Sequence, residues 1–186
     1  MKTKLFTLAG LLLCTSAVSA QENKAGYQFT DVARINVTPV KNQASTGTCW
    51  CFATTSFIEA ELLRMGKGEY DLSEMFIVHN TYLDRADKAV RTHGDVSFSQ
   101  GGSFYDVMYG MKTFGLVPEA EMRPGVMYGD TLSNHNELTA VSDAVVAAIA
   151  KGGLKKLQKN DKNEMLWKKA IESIHDIYLG ERPEKF

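Results

Sequence analysis

Pro39-Val40-Lys41-Asn42-Gln43-Ala44-Ser45-Thr46-Gly47-Thr48-Cys49-Trp50-Cys51-Phe52-Ala53 passes from a loop into an apolar helix, with a thiol at the junction. From Cys49 onward, Trp50, Ala53, Phe57, Ala60 and then Leu62 and Leu63 recur close to helical spacing. The pattern predicts a helix from Cys49 to about Arg64, stopped near Gly66, with Phe52 and Ile58 widening the stripe so that most sides are buried. A thiol in the first turn of such a helix feels the positive end of the backbone dipole, which favours thiolate and makes Cys49 a candidate nucleophile. Gly47 lets the backbone come close just ahead of it. Gln43, six residues upstream, can bring its amide to the same point and form an oxyanion hole with the Cys49 N–H. A plainer reading makes Cys49 a small buried apolar residue and Gln43 a loop residue.

Composition narrows the classes. The 186 residues are 44% hydrophobic and 23% charged, with a formal net charge of -1. No broad basic surface for nucleic acid is implied, and no run of 18 apolar residues marks a membrane span. Residues 1–20 read as a signal peptide. Lys2 and Lys4 precede the apolar run Leu5 to Leu13, and Val18-Ser19-Ala20 offers small residues for cleavage after Ala20. Leu13 before Cys14 argues against a lipid anchor. The remainder, 21–186, is then expected to be periplasmic or secreted. It keeps only Cys49 and Cys51, too close in sequence to staple a domain. Zinc would want two spaced pairs of ligands, so neither metal nor cofactor is expected, and Cys51 reads as a helix-packing residue.

Further along, Asp71 and Glu74 have capping-box spacing for a helix from about Leu72 to Tyr82. Asp84 to Gln100 reads as polar loop. Ser103, after Gly101-Gly102, caps a helix whose apolar face is Phe104, Val107, Met108 and Met111 and which Gly115 closes. Two more helices are predicted over about Glu137 to Ala150 and Asn163 to Leu179, the second with Trp167, Ile171, Ile174 and Tyr178 inward. Strand content is low.

The full string around Cys49 resembles the active-site segment of the papain superfamily of cysteine peptidases, where a glutamine, a glycine, the nucleophilic cysteine and a tryptophan keep this order. Leu72-Ser73-Glu74 resembles the opening of that family's second helix, and Gln100-Gly101-Gly102-Ser103 its cleft-lining glycine pair. The resemblance implies an α+β papain-like fold, here mainly its helical lobe. It places Cys49 as nucleophile at the start of the central helix and Gln43 in the oxyanion hole. Gly101 and Gly102 would then form the strip along which a peptide substrate lies, with Trp50 packed behind the nucleophile. A plain helix-entry turn is the alternative for the glycines. Thr46 stands where typical secreted relatives carry a disulfide cysteine. The chain is similar in this to the bleomycin hydrolase and aminopeptidase C branch, which implies an aminopeptidase and, at full length, a hexamer.

That family's histidine and asparagine lie in a strand-rich second lobe. His79, His93 and His135 read as solvated helix or loop residues. His175, on the predicted last helix beside Ile174 and with no asparagine after it, is not expected to be the base. The chain is therefore expected to be a truncated, split or processed form with little activity alone. Transglutaminase-like acyl transfer, or a non-catalytic binding lobe derived from a peptidase, are the competing functions.

Overall fold

The computed structural model describes residues 26–183 apart from 28, 97, 130–131 and 153–164. The proposed signal peptide lies outside the described residues. Contacts divide the chain into residues Met1–Arg34 and Ile35–Phe186. In the first unit, Tyr27 and Phe29 are exposed with their rings 6.3 Å apart, and Arg34 pairs with Asp31 at 3.0 Å. All that follows concerns the second.

Among the described residues of that unit the α-helices are α1 (Cys49–Arg64), α2 (Glu74–Arg91), α3 (Phe104–Phe114), α4 (His135–Gly152) and α5 (Leu166–Leu179). Among the described residues no strand forms, only isolated bridges between Ser45 and Asn134 and between Leu72 and Pro118. Helix α2 is the centre and packs against each of the other four. Its first half, Glu74 to Tyr82, is buried on all sides and its second half buries Ala86, Ala89 and Val90, while α5 supplies Trp167, Ile171, Tyr178 and Leu179 to the same core. Ile174 packs at its edge.

Both boundaries of α2 differ from the sequence reading, and α5 begins at Leu166, the predicted start near Asn163 lying outside the described residues. Helix α2 continues nine residues past Tyr82, through the stretch read as loop. Polar composition hid a stripe of small residues there: Ala86, Ala89 and Val90 are buried, while Asp84–Lys88 and Asp87–Arg91 pair one turn apart on the outside at 2.7 and 3.2 Å. The cap is Ser73, whose hydroxyl accepts from the Phe76 N–H, and not Asp71. Helix α1 buries Trp50, Cys51, Thr54, Thr55 and Glu59 but leaves Ala53, Ser56 and Phe57 exposed, so its apolar stripe is covered on one side only.

Beneath α1 lies an ionic knot. Lys41 Nζ meets Glu59 Oε1 at 2.9 Å, Glu74 Oε1 at 3.0 Å and Asp71 Oδ1 at 2.7 Å, and donates to the Leu72 carbonyl. Burial by itself would lower the Lys41 pKa, but these partners outweigh it and hold the ammonium charged. Thr38 and the Leu72 N–H satisfy Glu59, and Thr55 satisfies Glu74. Glu119 sits beside the knot with one buried carboxylate oxygen unpartnered. Burial, then the charges of Glu74 and Asp71 against that of Lys41, push its pKa up to about 7. The folded state therefore holds a proton that the unfolded chain releases between about pH 4.5 and 7, and stability falls as pH rises across that window. Glu119→Gln is expected to raise the thermal midpoint at pH 8 and to leave it unchanged at pH 4; equal effects at both would refute the assignment.

Candidate active site

The loop ahead of α1 is folded on itself. Asn42 Oδ1 accepts from the Ala44 N–H, Thr46 Oγ1 donates to the Gln43 carbonyl, and Gln43 Nε2 donates to the Thr46 carbonyl at 2.7 Å. Ala44 takes a left-handed backbone, φ 51°, to make the turn. The loop is anchored to the start of α4: the Ser45 N–H donates to the Ser133 carbonyl, and the His135 N–H to the Ser45 carbonyl, both at 3.1 Å.

Thr48 begins α1, its carbonyl accepting from Cys51 and Phe52, and leaves Cys49 as the first helical residue. The first N–H groups of a helix have no partner within it. Among the described residues the Cys49 N–H has no acceptor, and the Cys49 side chain is exposed. The two cysteines part company at this point. Cys51 is fully buried, its thiol against the Glu74 carbonyl at 3.6 Å, and burial pushes its pKa well up. That environment makes Cys51 inert and leaves Cys49 as the accessible thiol.

Gly101 and Gly102 form an exposed strip next to this point, held by Trp50. Trp50 is 7% exposed and its indole N–H donates to the Gln100 carbonyl at 2.9 Å. A Cβ on Gly102 would stand 2.6 Å from the Trp50 ring, so only glycine lets the strip lie on the indole. Trp50 thus joins the first turn of α1 to the glycine pair, and among the described residues the Gln43 side chain makes no hydrogen bond with Cys49. One hydrogen of the Gln43 amide is committed to Thr46; the second is open to another acceptor.

The histidines depart from the sequence reading. His79 and His135, read as solvated, are fully buried, as is His175; only His93 is exposed. His79 Nε2 meets Asp176 at 2.8 Å, His175 Nε2 meets Ser142 at 3.2 Å and His135 Nδ1 lies 3.5 Å from the Tyr82 hydroxyl. The helical period was visible at His79 and His175 but not at His135, which lies ahead of the helix predicted from about Glu137; imidazole is amphipathic, and only packing decides on which side it lies. Three of the four imidazoles are thus committed to the interior, away from an exposed thiol. Among the described residues no group of His, Cys, Asp and Glu side chains is arranged to hold a metal ion.

The model of the papain family of cysteine proteases matches residues 27–170. This chain belongs to the papain family. Aminopeptidase E of Lactobacillus helveticus is 25% identical over 172 residues, covering 79% of this chain and 38% of the relative. A cysteine proteinase of Trypanosoma brucei brucei is 30% identical over 127 residues, covering 63% of this chain and 27% of the relative. Mitochondrial cysteine proteinase 1 of Saccharomyces cerevisiae is 26% identical over 136 residues, covering 64% and 26%. The crystal structure of PepW from Lactobacillus rhamnosis superposes with a TM-score of 0.58 at 22% identity, covering 82% of this chain and 38% of that one, which shows the papain-like fold. The chain spans less than two fifths of the length of each of these proteins. The helices described are those of the helical lobe of the papain-like fold.

Proposed function

We propose that this lobe carries the nucleophile of a cysteine aminopeptidase of the bleomycin hydrolase and aminopeptidase C branch, with Cys49 attacking the carbonyl of a peptide. The observation that carries the reading is the exposed thiol at the first position of α1, beside an N–H that has no acceptor among the described residues. Attack would move negative charge onto the carbonyl oxygen. The Cys49 N–H and the free hydrogen of the Gln43 amide would then hold that oxygen, and collapse would give a thioester and release the amine. The relative named aminopeptidase E supports the exopeptidase form. Burial of His79, His135 and His175 supports a general base that is none of these three. Residues 1–20 would direct the protein out of the cytoplasm, and the branch suggests a homo-oligomer at full length.

A peptidyl aldehyde tests this on the chain as it stands, because hemithioacetal formation needs only the thiol and the oxyanion site. Binding is expected to vanish in Cys49→Ala and to weaken about 100-fold in Gln43→Ala. Undiminished binding by Cys49→Ala would remove the nucleophile assignment.

A further inference from the structure

The glycine strip is not held by its own turn. Arg85, from the middle of α2, reaches under it: Nη1 donates to the Ser99 carbonyl at 2.8 Å and also to the Gly101 carbonyl. Nη2 lies 3.3 Å from Asp106 Oδ1, the carboxylate that caps α3 through Ser103. The guanidinium carbon stands 5.4 Å from the centre of the Trp50 ring, in cation–π range. Its side chain is only 13% exposed. With Trp50 taking the Gln100 carbonyl, three successive carbonyls, 99, 100 and 101, are turned toward α2 and the indole.

In a trans peptide the N–H points opposite to the carbonyl of the same unit, and no peptide bond among the described residues is cis. Turning carbonyls 100 and 101 inward therefore turns the N–H groups of Gly101 and Gly102 outward. Among the described residues neither N–H has an acceptor. The Gln100 side chain completes the arrangement from the other side. Its Oε1 accepts from the Gly47 N–H at 2.6 Å and its Nε2 donates to the His135 carbonyl at 3.3 Å. A Cβ on Gly47 would fall 2.9 Å from the Gln100 Cβ, so glycine is what admits this clasp.

We propose that Arg85 and Gln100 are positioning residues that aim the Gly101 and Gly102 N–H groups at an incoming peptide and tie that strip to the Cys49 loop as one body. Nothing in the sequence marks Arg85, which falls in a stretch that reads as polar loop. The inference rests on the peptidase reading for its use, but the clasp itself can be measured without catalysis.

Backbone amide exchange and two thiol reagents, applied to the whole chain, separate the two. Arg85→Met, which touches nothing in the Cys49 loop, is expected to speed exchange of the Gly47 N–H about tenfold. Gln100→Leu should do the same, and Gln100→Glu, which keeps the acceptor that Gly47 uses, should restore protection. Arg85→Met should also weaken binding of a peptidyl aldehyde about tenfold while alkylation of Cys49 by iodoacetamide stays within about twofold, because the strip and not the thiol is disturbed. Circular dichroism checks that each variant keeps its helices; should Arg85→Met unfold, Gln100→Leu, in a loop, carries both measurements. Unchanged Gly47 exchange in the folded variants would overturn the clasp, whatever the reagents show. A wild-type chain that binds no aldehyde would overturn the peptidase reading while leaving the exchange result to judge the clasp.

Discussion

Lys41→Met is expected to cost this lobe about 3 kcal/mol of stability at neutral pH, a large part of the 5–15 kcal/mol typical of a domain. The reason is what the lysine leaves behind. Glu59 is fully buried and the Glu74 side chain 5% exposed, and both point a carboxylate oxygen at Nζ. Removing one member of a buried ion group strands the other charges without water, at roughly 3–5 kcal/mol. The Lys41 side chain is itself 24% exposed, so water relieves part of this and the lower figure is appropriate. The pH dependence has a definite sign. Burial already raises the Glu74 pKa with Lys41 present, and losing the ammonium raises it further. A carboxyl whose folded pKa lies above its unfolded value holds its proton better when folded. The deficit of the variant is therefore greatest at neutral pH and shrinks as pH falls toward the unfolded carboxylate range. Urea unfolding followed by circular dichroism measures it, and Lys41→Met/Glu74→Gln should recover part of the loss. A variant within about 0.5 kcal/mol of wild type, the range of an ordinary surface substitution, would contradict the account.

Acid is the second lever. His79, His135 and His175 lie together, with His79 and His175 rings 5.6 Å apart, Phe98 stacked on His175 and Tyr128 stacked on His135. Burial lowers all three pKa values, that of His135 to about 4 and that of His175, helped by its two neighbours, to about 3. Asp176 pulls His79 the other way and Arg182 reinforces the lowering, but burial prevails. The sign follows from linkage. An unfolded imidazole takes a proton near pH 6.5, the buried one does not, and so stability is full above pH 6.5 and falls as pH drops toward the folded values. Each imidazole costs about 1.4 kcal/mol per pH unit in that window, on the order of 3 kcal/mol for His135 alone. Glu119 and Glu74 run in the opposite direction and offset part of the loss, which is why a variant is the sharper measurement. His135→Phe preserves the stack on Tyr128 and gives up only the 3.5 Å contact with the Tyr82 hydroxyl. Its unfolding free energy should fall less steeply between pH 6.5 and 4 than that of wild type. Parallel slopes would show that His135 does not titrate on unfolding.

Parts of this molecule were legible in its residues and parts were not. Helices α1, α3 and α5 follow from apolar spacing and from Gly115 and Gly180 at their ends, because those signals are local and the structure keeps them. The exposed Cys49 and buried Cys51 were legible for the same reason: one helical turn places neighbours on different sides. The second half of α2 was not, because Asp84, Arg85, Asp87 and Lys88 resemble a loop in composition while the small residues between them, Ala86 and Ala89, make the contact.

What the sequence determined by itself is the order of helices and the loop-to-helix junction that sets a thiol at a helix start, since backbone period and turn chemistry act over a few residues. What only the tertiary structure decided is which polar side chains went inside. Lys41 meets Glu59 and Glu74 across 18 and 33 residues, three imidazoles gather from α2, α4 and α5, and Arg85 reaches the glycine strip. A charged or amphipathic side chain is buried only where distant partners satisfy it, and no local pattern in the chain records where those partners will be.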